Sequence, residues 1–189
     1  MSSIRLMFPA AAGLLLAACS STPTPPPAPP VAVSVVSTAQ MAEANLSPAS
    51  ASIVSGRLAL VPEAGGVHVT GVIGGLRPLQ QPAFHVHQRG DCSAVDASSA
   101  GDHFNPTQQP HGAPGTGPHH LGDMPNLRAD EQGRANVDIH LRGVTLGGGA
   151  ANDIAGRALI VHAQSDDHRS QPAGNAGARI ACGLIRVTR

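Results

Sequence analysis

The chain has 189 residues, and its formal charge is balanced between 12 basic residues, all of them arginine, and 12 acidic residues. This length suits one domain with its own core. The balanced charge offers no bulk attraction for a polyanion, which argues against a nucleic-acid partner and requires any ion binding to be local. Tyr and Trp are absent, while 22 Gly and 17 Pro favour turns and short strands. We therefore expect a mostly β protein.

The N-terminus has the organisation of an export signal. Arg5 precedes an apolar run of signal-peptide length, which ends in small residues and is too short to span a bilayer comfortably. The segment LAAC at positions 16–19 resembles the lipobox of bacterial lipoproteins, whose cysteine is lipidated after cleavage. Residues 1–19 are predicted to be a lipoprotein signal peptide, with a plain export signal cut nearby as the alternative. Lipidation of Cys19 would anchor the protein in the periplasm, and Ser20 resembles a signal for outer-membrane sorting.

A proline-rich segment follows the predicted signal peptide. Residues 20–41 begin with a tract that favours extended polyproline II structure and cannot build a packed core, so we predict a flexible tether before a domain at 42–189. Of the three cysteines, Cys19 would be taken by lipid. Cys92 and Cys182 are then the remaining pair in an oxidising compartment, and we expect a disulfide between them.

Short segments with alternating apolar and polar residues recur between glycine-rich turns from about residue 42 onward. The clearest is Ala135–Arg142, in which Val137, Ile139 and Leu141 share one face. This pattern is typical of an antiparallel sandwich or barrel. In it, His68 and His140 point outward and are expected at the surface. Further strands are expected at 52–61, 67–72, 83–88, 157–163 and 180–187, and a single helical turn near 152–155.

Two histidines alternate in the predicted strand FHVH at positions 84–87. Residues i and i+2 of a strand point to the same side, so His85 and His87 project together while their apolar neighbours can enter the core. His162 ends a second predicted strand. A long segment rich in Gly, Pro, His and Asp lies between His87 and Asp130, and such a loop is unusual in a compact domain unless something orders it. A metal would explain both the loop and the histidines.

Imidazole ligands suit copper and zinc, and a carboxylate that joins three imidazoles makes a closed tetrahedral zinc site. Five segments together carry a specific resemblance to copper/zinc superoxide dismutases, over roughly residues 50–189. They are FHVHQRGDC (84–92), AGDHFNP (100–106), HGAPGTGPHHLGDMPNL (111–127), ALIVHAQSDD (158–167) and GNAGARIACGLI (174–185). The resemblance implies an eight-stranded Greek-key β-barrel, copper and zinc as cofactors, and superoxide as the substrate.

The resemblance also assigns roles to individual residues. The family's copper ligands match His85, His87, His103 and His162, and its zinc ligands match His103, His111, His120 and Asp123. His103 would bridge the two metals, and we assign the adjacent His119 to the loop surface. Asp166 matches an aspartate that links one copper and one zinc histidine, and Arg179 matches the arginine at the mouth of the copper channel. Cys92 and Cys182 match the family's disulfide.

Some positions depart from the family's common pattern. Gln88 stands where a glutamate is usual, and Pro82-Ala83 replaces a common His-Gly. The segment from His162 to Arg179 is short and contains no lysine, so guidance of the anion would depend on Arg179, helped by Arg169 and His168. Bacterial relatives include monomers and homodimers, so a homodimer is possible. Two other functions stay open at this point: a metal-buffering protein without turnover, and a zinc hydrolase, which would need an open coordination position at zinc.

Overall fold

The computed structural model describes residues 36–189, so the predicted signal peptide, Cys19 and most of the tether lie outside the described residues. Within this part of the chain the structure is all-β, and its one helical element is the 3-10 turn Ser98–Ala100. None of its helices is long or apolar enough to cross a membrane. The strands are β1 (Ala42–Pro48), β2 (Ser55–Glu63), β3 (Gly66–Gly74), β4 (Phe84–His87), β5 (Ala135–Arg142), β6 (Ala158–His162), β7 (Arg179–Leu184) and β8 (Arg186–Val187).

The strands form one curled antiparallel sheet with the order β4-β6-β7-β1-β2-β3-β5, and β8 pairs with β1. The link between the two halves is β1, because residues 42–46 pair with β2 while Ser47 and Pro48 pair with β7. The sheet therefore folds back on itself and encloses a core. This architecture confirms the predicted eight-stranded all-β fold.

The core lies between the two halves of the sheet. Leu58 and Leu60 of β2 belong to the same buried cluster as Phe84 and Val86 of β4 and Leu159 of β6. All five are fully buried, and burial of each such side chain contributes about 1.5–3 kcal/mol. Because strand residues alternate between faces, the positions between these apolar residues point away from the core.

The outer face of the β4–β6 pair is where the histidines lie. Phe84 and Val86 enter the core, as predicted, so His85 and His87 point to the opposite face. The antiparallel register places His85 opposite Ile160 and His87 opposite Ala158. All four residues are nevertheless buried, since long loops cover this face.

Most strands lie where the sequence predicts them. Ala135–Arg142 has the predicted bounds, and the segment predicted at 180–187 divides into β7 and β8. Strand β1 was not singled out, because two of its three inward residues are alanines that give only a weak apolar signal. The helical turn predicted near 152–155 is wrong. There the Asp153 carboxylate accepts hydrogen bonds from the backbone N–H groups of Gly147, Gly149 and Ala155, which holds an irregular turn instead of a helix.

The end of the predicted tether packs on the domain. The backbone N–H groups of Thr38 and Ala39 donate to the carbonyl of Leu146 at 3.1 and 3.0 Å. Those of Gln40 and Met41 donate to the carbonyl of Arg189. Residues 38–41 of the predicted tether therefore contact the domain through backbone hydrogen bonds, which composition does not report.

The expected disulfide joins Cys92, in the loop after β4, to Cys182 in β7, with the two Cα atoms 5.8 Å apart. The cysteines are 90 positions apart in the chain, so the bond closes a long loop that contains most of the covering segment. It ties that segment to the sheet.

We expect replacement of both cysteines by serine (C92S together with C182S) to lower the free energy of unfolding by about 4–5 kcal/mol, because the open chain regains loop entropy when unfolded. Urea denaturation of the metal-free proteins measures this difference. Equal unfolding midpoints and slopes for the variant and the unreduced wild type would contradict it.

Candidate metal centre

Two buried groups of potential metal ligands lie side by side under the loops. The first, the four-histidine group, consists of His85, His87, His103 and His162. The second, the three-histidine group, consists of His103, His111, His120 and Asp123. Within each group the ligand atoms lie within 4.8 Å of one another. The groups share His103.

The covering loop is fixed to β4 by backbone contacts. The N–H of Phe104 donates to the carbonyl of Val86, and the N–H of Val86 donates to the carbonyl of Gly122, at 2.8 and 2.9 Å. Isolated bridges also pair His87 with His103, and His85 with Asp123. The loop thereby places its own potential ligands, His103, His111, His120 and Asp123, over the two histidines of β4.

Hydrogen bonds leave one nitrogen of each ring in the four-histidine group directed at the site. Nε2 of His85 donates to Asp166 at 2.8 Å, and Nδ1 of His87 donates to the carbonyl of Gly101 at 2.8 Å. The remaining nitrogens are Nδ1 of His85 and Nε2 of His87, and the latter faces Nε2 of His162 at 3.3 Å. Nδ1 of His85 is buried without a hydrogen-bond partner among the described residues. Such nitrogens fit a bound metal ion, which would satisfy them.

The three-histidine group surrounds one carboxylate. Nδ1 of His103, of His111 and of His120 lie 2.9, 3.1 and 3.4 Å from oxygens of Asp123. Nδ1 of the last two rings has no hydrogen-bond partner in the described part of the chain. Three imidazoles and one carboxylate fit the closed tetrahedral coordination of zinc and leave no open position for a catalytic water. This donor set argues against the zinc hydrolase.

His103 belongs to both groups through its two ring nitrogens. Nδ1 faces Asp123, whereas Nε2 is buried in the four-histidine group and has no hydrogen-bond partner within residues 36–189. The ring centroid of His103 is 4.0 Å from that of His85. One imidazole therefore lies between two potential metal positions.

Asp166 connects the two groups a second time. Its carboxylate accepts from Nε2 of His85 and from Nε2 of His111, at 2.8 and 2.9 Å, and it is buried. Asn126 holds the backbone of Asp166 through two hydrogen bonds, one in each direction. Carboxylates in this position fix the orientation of ligand rings. The resemblance indicated the role of Asp166. The sequence did not indicate that Asn126 holds it, because no local pattern predicts a contact between residues 40 positions apart.

Burial and neighbouring charges shift the histidine pKa values in opposite directions in the two ligand groups. Burial lowers the pKa of His85 to about 4 and that of His162 to about 3. These imidazoles are therefore neutral at physiological pH, and each has a nitrogen lone pair for a metal. Burial also disfavours the charged form of His111, but the neighbouring carboxylates of Asp123 and Asp166 outweigh this effect and raise the pKa of His111 to about 9. A metal ion that binds Nδ1 of His111 therefore displaces a proton.

A depression of about 340 Å³ opens above the centre, and its lining includes His87, His103 and Arg179. The guanidinium of Arg179 donates to the carbonyls of Ala97 and Gly101 at 2.7 and 2.6 Å. Because β6 and β7 pair His162 with Arg179, the register itself places the cation beside the four-histidine group. The sequence did not mark the two carbonyls that fix this side chain.

Three other predicted residues lie outside the centre or its opening. His119 is half-buried in the loop, and Nδ1 of its ring donates to the carbonyl of Gly117. His168 and Arg169, expected to help guide an anion, are not among the residues that line the depression. His168 packs beside Asp166 instead, with its backbone N–H donating to that carboxylate. Gln88, the departure from the family's glutamate, does line the depression.

Comparisons with known proteins agree with this geometry. The family model for copper/zinc superoxide dismutase (SODC) matches residues 54–185. "Superoxide dismutase [Cu-Zn] 2" and "Superoxide dismutase [Cu-Zn] 1" of Aquifex aeolicus (strain VF5) are 42% and 40% identical, over 70% and 69% of this chain and 80% and 79% of those proteins. The crystal structure of a double mutant of a SOD-like protein from Bacillus subtilis is 34% identical, with a TM-score of 0.70, and the match covers 76% of this chain and 96% of that one.

The fold and the two ligand groups define a β-barrel protein with two adjacent potential metal sites that share one histidine. The family model matches most of the described residues. The chain belongs to the copper/zinc superoxide dismutase family.

We expect Asp166→Asn to weaken both metal sites, because the amide no longer accepts from both His85 and His111. Loss of such an orienting carboxylate typically lowers metal affinity by about 10–100-fold. Competition with a chromophoric chelator measures the affinity. Asp167→Asn is the matched control, since Asp167 is exposed and bonds Ser170 and Asn175 instead of a ligand ring. Equal affinities in the two variants would refute the orienting role.

Proposed function

We propose that this chain catalyses the dismutation of superoxide, in which two superoxide anions and two protons yield one oxygen and one hydrogen peroxide. The observation that carries the proposal is the complete pair of buried ligand groups sharing His103, beneath an opening that contains Arg179. The family match supports it. The ligand groups are needed for the argument, because a related structure is named only SOD-like, and a fold by itself does not fix an activity.

Copper in the four-histidine group would supply the one-electron oxidation and reduction, while zinc in the three-histidine group has no redox chemistry and serves structure. His85, His87 and His162 would hold copper through neutral nitrogens. Their outer nitrogens are already bonded to Asp166, Gly101 and Gly177, so the rings keep their orientation throughout the cycle.

His103 has a second role in this proposal. Its Nε2 is buried next to the opening and has no hydrogen-bond partner among the described residues, so it could hold either copper or a proton, and when protonated it could pass the proton to the departing peroxide. Its Nδ1 faces Asp123 in the three-histidine group, where zinc would keep the ring in place.

Arg179 would bind the anion at the opening. Its guanidinium keeps its charge at any working pH and can donate paired hydrogen bonds to a diatomic anion. Two backbone carbonyls fix its orientation. The chain as a whole is neutral, so the attraction of superoxide depends on such local charge.

The ligand assignment is tested by His162→Ala. The copper site loses one of its four ligands, so the variant should lose copper and dismutase activity. Zinc should stay bound, because His162 is outside the three-histidine group. Elemental analysis and a superoxide assay on the same sample measure both effects. His119→Ala, which removes a half-buried imidazole that belongs to neither ligand group, should keep both metals and full activity. Full activity in His162→Ala would overturn the assignment, and two bound metals without activity in the wild type would favour a metal-buffering protein.

Arg179→Ala tests the guidance of the anion. The second-order rate constant should fall by about tenfold and depend less on salt, because focused positive charge raises the encounter rate of anions and is screened by ions. Metal content should not change. Arg57→Ala removes the same charge from an exposed position on β2 and should leave the rate as it is. Unchanged salt dependence in Arg179→Ala would contradict the role.

We further propose that the protein is exported and held in the periplasm by lipid on Cys19, where it would protect the cell envelope from superoxide. The signal-like residues 1–19 and the disulfide support export, since disulfides persist in oxidising compartments. Cys19→Ser should abolish labelling by radioactive palmitate and move the protein from the membrane to the soluble fraction. Palmitate labelling that survives this substitution would refute the anchor.

A further inference from the structure

Two histidines outside the dinuclear centre lie together on the outer face of the other half of the sheet. The register of β3 and β5 places His68 directly opposite His140. Their rings are stacked, with centroids 4.2 Å apart and planes inclined by 11°. As the sequence predicts, both residues point away from the core, but it does not show that they are partners.

Each of these rings is bonded to a carboxylate. Nδ1 of His140 donates to Glu63 of β2 at 2.8 Å, and Nε2 of His68 donates to Asp138 of β5 at 2.6 Å. Asp138 and His140 are two positions apart in one strand and therefore share its outer face. The bond to Asp138 orients His68 and leaves Nδ1 of that ring available to a metal. Glu63 and Nδ1 of His140 lie close enough for one ion to replace the proton between them.

The cluster is open to solvent and has room for an ion. Each of Glu63, His68 and His140 offers a ligand atom, and these atoms lie within 4.8 Å of one another. The side chains of His140 and His68 are 52% and 32% exposed. His140 and Asp138 also line a surface groove of about 520 Å³, in which an incoming ion could keep part of its water shell.

We propose that Glu63, His68 and His140 form an exposed binding site for a divalent transition-metal ion of the zinc and copper(II) class. Two imidazoles and one carboxylate select such ions over calcium and magnesium, which prefer oxygen ligands. Asp138 orients His68. Three protein ligands leave one coordination position for water, and none of the three belongs to the buried groups. The site is thus a third metal position, independent of the dismutation proposed above.

The alternative is that these side chains form only two ion pairs and a ring stack, with no affinity for metal. Isothermal titration of the purified full chain separates the two possibilities. The chain is first filled with copper and zinc in its buried groups and is then titrated with Zn²⁺. We expect one further Zn²⁺ per chain, counted independently by elemental analysis after gel filtration.

His68→Ala and His140→Ala should each abolish binding of the further ion. Glu63→Gln, which keeps the side-chain size, should raise its Kd by at least about tenfold. His119→Ala is the matched control, because it removes a half-buried histidine that lines the same groove but does not belong to the cluster, and it should bind the ion as the wild type does.

The buried metals and far-UV circular dichroism of each variant should equal those of the wild type, which shows that the sheet has kept its fold. If a variant failed this requirement, Glu63→Gln would carry the test alone. The proposal is overturned if the metal-filled wild type takes up no further Zn²⁺. It is also overturned if His68→Ala and His140→Ala bind the further Zn²⁺ as tightly as the wild type does.

Discussion

The position of His103 is the constraint on which the rest of the centre depends. Its ring must present Nδ1 to one ligand group and Nε2 to the other, which fixes both its place and its orientation. A residue in a loop cannot hold such a position alone, since loops have few internal contacts. Here the loop is hydrogen-bonded to both the N–H and the carbonyl of Val86 in β4, and the disulfide ties the loop to β7.

Asp166 connects the two ligand groups through hydrogen bonds to one histidine of each. By accepting from His85 in a strand and from His111 in the loop, it connects the rigid sheet to the covering segment. A buried carboxylate is unfavourable unless it is paired, and three hydrogen bonds, from His85, His111 and the backbone N–H of His168, compensate for its burial. The polar centre can therefore exist beside an apolar core, because nearly every polar group outside the metal positions has a partner.

The sequence predicts the local features of this arrangement well and the long-range ones poorly. Alternation placed β5 and the paired histidines of β4 correctly, because it depends only on neighbours in the chain. The complete ligand set needed the family resemblance, since spacing alone does not bring His162 to His87. No sequence pattern predicts the contacts that depend on the path of the loop. These are the bonds from Asn126 to Asp166 and the bonds from Arg179 to two backbone carbonyls. The stack of His68 on His140 likewise depends on the register of strands that are distant in sequence.

The most direct test of the account is a crystal structure of the metal-loaded chain with anomalous data collected at the copper and zinc absorption edges. We predict one copper peak at Nε2 of His103, among the four histidines, and one zinc peak at Nδ1 of the same ring, beside Asp123. Two peaks that do not share the His103 ring, or a peak in only one of the two groups, would contradict the account.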